Sequence, residues 1–214
     1  LTPDQLAVIE PMCIGYHGMV RAGIRPGENV LIFGGGTIGV MAGISAKSMG
    51  ANVYISDIIP EKLKRDVEMF GFSGSICNTS PEALMEGVER ITGSTMVHGK
   101  KQINGFDVTA EAVGLPQTFQ NAIDSVAFGG RVALIGVSKK NLDFNFTLIQ
   151  KKEIDIYGSR NAMKKDFEDL VDRVVTGKID VSNIVSAKYS FDDSAKAFEA
   201  FSSNHELLKV LISL

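Results

Sequence analysis

The chain is 214 residues long, 44% hydrophobic and 22% charged, which is enough apolar content for one large globular domain or two small ones and excludes a disordered or fibrous chain. A formal net charge of -3, with Lys and Arg scattered among acids, leaves no basic face for nucleic acid. No apolar run approaches the roughly 18 residues needed to cross a bilayer.

The N-terminus has no basic segment followed by an apolar one, so export is not expected and the cytoplasm is the expected compartment. The opening LTPDQLAVIE carries no initiator Met, and the segment is expected to belong to a longer polypeptide. From about residue 29 to 160, β-branched runs alternate with helical periodicity. NVLIF, NVYIS, FDVTAEAV and RVALIGV read as strands, and PEALMEGVERI and PQTFQNAIDSVA as helices. Strands are expected near 29–34, 51–57, 75–78, 105–110, 130–137 and 153–159. Such alternation predicts an α/β doubly wound parallel sheet covered on both faces. In NLDFNFTLIQ, Leu142, Phe144, Phe146 and Leu148 alternate with polar residues, which predicts an edge strand with one dry face, across which a dimer would continue the sheet. GSTMVHGKKQ, with His98, reads as a polar loop. Helices are expected again in KKDFEDLVDRVVTGK and DDSAKAFEAFSSN, before the apolar close LLKVLISL. Cys13 and Cys77 lie far apart in no metal-ligand spacing, and both are expected to be buried, reduced thiols.

Gly34, Gly36 and Gly39 form G-x-G-x-x-G directly after an apolar strand and directly before a helix. The first glycine permits the tight turn, the second lets a pyrophosphate approach the backbone, and the third lets helix and strand pack closely. The helix N-terminus then offers free N–H groups and a partial positive charge to the phosphates. Asp57 ends the next strand, 18 residues after Gly39, where a carboxylate accepts from the adenosine ribose hydroxyls and repels the 2′-phosphate of NADP. NAD is the expected cofactor. Lys62, Lys64 and Arg65 follow, and their commoner role is a solvated helix face.

EPMCIGYHGMVRAGIRPGENVLIFGGGTIG, EAVG, FGGRVALIGV and KVLISL together resemble the zinc-dependent medium-chain alcohol dehydrogenases, particularly the sorbitol, threonine and sugar-acid branch, over essentially the whole chain. FNFTLIQKKEIDIYGSRNA is similar to members acting on hexonates. The resemblance implies a Rossmann domain over 25–180, with flanks 1–24 and 181–214 leading to and from a GroES-like catalytic domain. It implies a homodimer or homotetramer that oxidises a secondary hydroxyl of a polyol, sugar acid or hydroxy-amino acid, with NAD taking the hydride and zinc polarising the alcohol. The bare sequence reads Glu10 as a helix-start carboxylate, whereas the resemblance implies an acid at or beside the catalytic zinc. The resemblance also implies that Ile14 and Ile38 pack on the nicotinamide, that Lys62 reaches the ribose and Lys209 the pyrophosphate. By the same match the strand ends at Val113–Gly114 and Ile135–Ser138 face the cofactor, with Gly136 and Val137 between, and Thr37 opens the phosphate helix. Ser159 and Arg160 fall near the nicotinamide and substrate, where Arg160 would hold a hydroxyl or carboxylate. His17 is expected to pack rather than act as a base. The family's Cys and Gly-His-Glu zinc ligands do not occur, so this chain alone is expected to bind NAD and turn over no alcohol. A zinc-free quinone or enone reductase and a non-catalytic NAD sensor are the alternatives.

Overall fold

The computed structural model describes all 214 residues. Its strands are β1 (Asn29–Phe33), β2 (Asn52–Asp57), β3 (Gly74–Cys77), β4 (Ser94–Val97), β5 (Lys100–Ile103), β6 (Phe106–Glu111), β7 (Val126–Leu134), β8 (Asp155–Gly158), β9 (Val185–Ser190) and β10 (Lys209–Ser213). The helices are α1 (Pro3–Ala22), α2 (Thr37–Ser48), α3 (Pro60–Phe70), α4 (Pro81–Thr92), α5 (Pro116–Ser125), α6 (Thr147–Lys152), α7 (Lys164–Val175) and α8 (Ser194–Ser203). Six strands form one parallel sheet in the order β3-β2-β1-β6-β7-β8. This is the doubly wound order, and the winding reverses between β1 and β6.

Strand β1 explains why NVLIF is apolar throughout. Val30 and Ile32 enter a core built with Met12, Tyr16, Met41 and Leu170, while Leu31 and Phe33 enter a second core on the opposite face with Ile76, Leu84 and Ile123. Alternate side chains point to opposite faces, and here both faces are dry. Helix α1 starts at a reciprocal cap, in which Gln5 N–H donates to Thr2 Oγ1 and Thr2 N–H to Gln5 Oε1, and it stops at Gly23 with φ +62°. Glu10 therefore sits in mid-helix and caps nothing.

Three expectations are corrected. Residues 142–148 are not an edge strand: the stretch is irregular until α6 begins at Thr147. Phe144 leaves the expected dry face to pack edge-on against Phe119, 5.1 Å between ring centres, so the free edge on this side of the sheet is β8. GSTMVHGKKQ is an antiparallel hairpin, β4 on β5, turned by His98 (φ +49°) and Gly99 (φ +73°). β10 is paired on one side, running parallel to β9. Cys13 is buried as expected but Cys77 is only half-buried; both are free thiols. No helix is long and apolar enough to cross a membrane.

Candidate cofactor site

The candidate residues gather along the C-terminal ends of β1, β2, β6, β7 and β8, around the reversal between β1 and β6. Leaving β1, Gly34 takes φ +107°, and its N–H donates to Ser56 O at 2.8 Å. A Cβ there would come within 2.8 Å of Val113 Cγ2, and one at Gly39 within 1.9 Å of Gly34 O. Both glycines are required by the turn itself. Gly36 is different. It is the N-cap residue of α2 with extended backbone (φ -90°, ψ -176°) and no capping side chain, and a Cβ on it would meet nothing within 4 Å. Any side chain is compatible with that backbone, so the fold does not demand glycine here. What glycine preserves is open space before the helix N-terminus, where an anion is favoured.

Asp57 closes β2, half-buried. Its Oδ2 accepts from Gly35 N–H at 2.8 Å and its Oδ1 from Ile59 N–H at 3.1 Å, which fixes the carboxylate beside the glycine loop. Lys62 stands in the first turn of α3 with its Cβ 3.3 Å from where a Gly35 Cβ would be. Behind that loop, Asp66 is fully buried and paired with Arg65.

Across the reversal, buried Glu111 organises the turn after β6. Its Oε1 accepts from Val113 N–H (2.8 Å), Gly114 N–H (2.7 Å) and Thr118 Oγ1 (2.7 Å). Gly114 (φ +83°) leaves no room for a side chain, which would lie 2.5 Å from Val137 O. Gly136 presses equally close, 2.3 Å from Gly114 N. The two turns thus pack backbone on backbone and present Val113 (42% exposed) and Val137 (87%) to the crevice mouth. Ile135 is buried, and a Cβ at Gly18 of α1 would lie 2.4 Å from its Cδ1 and 3.7 Å from Ser159 Oγ. Ser159 Oγ is buried without a partner, so a hydroxyl remains free for a polar group at that end. Ile14 and Ile38 are half-buried against the first core.

The C-terminal flank reaches the same loop. Thr37 Oγ1 donates to Leu208 O at 2.5 Å, and Arg65 Nη1 donates to Glu206 O at 2.5 Å. Lys209 comes next and opens β10, half-buried, and its side chain has no hydrogen bond or ion pair. Glu10 and Arg160 are exposed and likewise unpaired. Nowhere do three His, Cys, Asp or Glu side chains converge to hold a metal, so the residues present do not fit a zinc centre by themselves. His17 does pack: its Nδ1 lies 2.7 Å from Asp166 Oδ2 in the interior, and Asp166 also accepts from Met163 N–H at the start of α7. Burial, with Asp166 and Glu10 adding to it, pushes the Cys13 thiol up to about 12, so Cys13 is no nucleophile. A surface depression of about 540 Å³ lies between α2, α3 and the loop after α7, away from the strand ends and their chemistry.

Sequence reasoning passed over Gly35, Glu111 and the Arg65–Asp66 pair. Glu111 had a signal in EAVG; the other two act through contacts that only the folded chain creates.

The family model described as zinc-binding dehydrogenase matches residues 37–176. Among curated relatives, sorbitol dehydrogenase of Bacillus subtilis (strain 168) is 31% identical over 99% of this chain and 58% of its own length. L-galactonate-5-dehydrogenase of Escherichia coli (strain K12) is 30% identical over 100% and 60%. Among solved structures, a zinc-binding dehydrogenase of Sinorhizobium meliloti 1021 bound to NADP superposes with a TM-score of 0.82 at 27% identity, over 100% of this chain and 60% of that one. The chain thus spans about three-fifths of the length of the relatives it matches. With the family model covering most of the doubly wound sheet, the chain belongs to the zinc-binding dehydrogenase family.

Proposed function

We propose that the chain is the NAD-binding part of a dehydrogenase that oxidises a secondary hydroxyl of a polyol or sugar acid. Residues 25–180 form the cofactor domain, and 1–24 and 181–214 are the flanks that join it to a catalytic domain. The single observation that carries the cofactor reading is Gly36, an N-cap glycine that the backbone does not require and whose missing side chain leaves the helix N-terminus open. The names of the relatives, a sorbitol and an L-galactonate dehydrogenase, support the substrate class.

Bound NAD supplies the hydride acceptor. The loop from Gly34 to Gly39 and the first turn of α2 receive the pyrophosphate, with Lys209 reaching it from β10. Asp57 accepts from the ribose hydroxyls, and Lys62 lies beside it. Ile14, Ile38, Ile135 and Val137 keep water from the nicotinamide, which the turn backbone at Val113–Gly114 and Gly136 positions, and Ser159 Oγ offers it a polar contact. Glu10 and Arg160 face the catalytic side, for a metal or substrate whose other ligands lie outside this chain. Glu10 alone does not make a zinc centre. The S. meliloti structure holds NADP, whereas the carboxylate of Asp57 in this chain disfavours a 2′-phosphate. That carboxylate stands at the ribose end of the site itself, which favours NAD. A homodimer or homotetramer is part of the proposal.

Gly36→Val tests it. The variant is expected to fold like the parent by circular dichroism and to bind NADH at least about tenfold more weakly, since the side chain fills the phosphate cradle. Unchanged affinity would overturn the assignment of this loop.

A further inference from the structure

The three nitrogens of the Arg65 guanidinium are all committed. Nε and Nη2 donate to Asp66 Oδ1 at 2.8 and 2.6 Å, Nη2 also to Gly35 O at 2.7 Å, and Nη1 to Glu206 O. The side chains are 12% and 0% exposed. Gly35 is also the residue whose N–H is held by Asp57. The guanidinium therefore lies one peptide unit from the carboxylate assigned to the adenosine ribose, beside the place where a 2′-phosphate would project. A planar, permanently charged fork is the side chain best suited to such a phosphate. Here it is turned away from the ribose.

We infer that Asp66 is a specificity-determining residue, which excludes NADP by sequestering Arg65, a reading that rests on the NAD assignment above. Asp66 acts through Arg65 and does not touch the cofactor. Its second oxygen, Oδ2, is buried with no partner, so drawing Arg65 toward a phosphate would leave the whole carboxylate buried and unpaired, which is strongly unfavourable. The lock is reinforced from two directions, by the glycine loop through Gly35 O and by the C-terminal flank through Glu206 O. Asp57 supplies repulsion, and Asp66 withholds the compensating cation. Of the other nearby cations, Lys64 is exposed on α3 and Lys62 is half-buried beside Asp57, so neither offers the bidentate fork.

The test is a set of NADH and NADPH titrations by fluorescence on the wild-type chain, Asp57→Ser, Asp57→Ser/Asp66→Ala, and the same double variant carrying Arg65→Gln. Asp57→Ser alone is expected to tighten NADPH binding by less than about fivefold, and adding Asp66→Ala by at least about tenfold more, with NADH affinity moving less than about threefold. Arg65→Gln should remove that second gain. Should the Asp66→Ala protein lose its fold by circular dichroism, Asp57→Ser/Asp66→Asn keeps the volume and carries the same test, with the same ordering expected. A double variant that binds NADPH no tighter than Asp57→Ser, or a gain that survives Arg65→Gln, overturns the inference while leaving the NAD reading standing. A wild-type chain that binds NADPH as tightly as NADH overturns the NAD reading and the inference with it.

Discussion

Asp66 is held at an energetic disadvantage that can be read through pH. Burial lifts its carboxyl from 3.8 to about 6, and Asp57 pushes the same way, against the opposing pull of Arg65 and Lys62. The folded chain therefore keeps a proton that the unfolded chain releases near pH 4. The stability this contributes is fully present below about pH 4 and is lost as pH rises through about 6, at roughly 1.4 kcal/mol for each unit of displacement. Asp66→Asn removes the titrating group. In denaturant unfolding at pH 4.5 and pH 7, wild type is expected to lose stability relative to the variant as pH rises, and parallel profiles would contradict this. At this scale, legibility followed sequence spacing. Gly34, Gly36, Gly39 and Asp57 could be found because strand, turn and helix constrain them locally. Arg65 reads from sequence as part of a solvated face with Lys62 and Lys64, and nothing marks its neighbour Asp66; only the return of Glu206 and the loop at Gly35 buries the pair.

Helix α6 shows how an element can be missed and still matter. Leu142, Phe144, Phe146 and Leu148 alternate as a strand would, but no neighbouring strand pairs with them. Phe144 and Leu148 pack on the second core and Phe146 is 75% exposed. Periodicity specifies a dry side, not a hydrogen-bonding partner. The hairpin β4–β5 was missed for the opposite reason: all four residues of β4 are exposed, so no apolar pattern marks it, and its signal was the His98-Gly99 pair at positive φ. At the end of α6, Lys152 donates to Ile123 O, Asp124 O and Val126 O at 2.9, 2.8 and 2.9 Å, tying off the last turn of α5 where β7 begins. Burial lowers its pKa, yet three carbonyls hold the ammonium in place. Lys152→Met leaves those carbonyls without a donor and is expected to destabilise the fold by about 2–3 kcal/mol in chemical denaturation. A loss under about 0.5 kcal/mol would mean that water replaces the amine without penalty.

For the whole molecule, the doubly wound sheet could be read from strand–helix alternation alone, because each strand of a parallel sheet must bury both faces and each connection must cross a face. The way the C-terminal flank folds back could not: Leu208 O meets Thr37 and Glu206 O meets Arg65, 171 and 141 positions apart, and these contacts close the glycine loop from behind. The assembled loop, with Asp57 beside it, is proposed as an NAD site contained in the 214-residue chain. Its most direct test is a fluorescence titration of the chain with NADH and, in parallel, NADPH. Saturable binding of one NADH per chain is expected, at least about tenfold tighter than that of NADPH. Absence of saturable NADH binding by the folded chain, or equal affinity for the two cofactors, would contradict it.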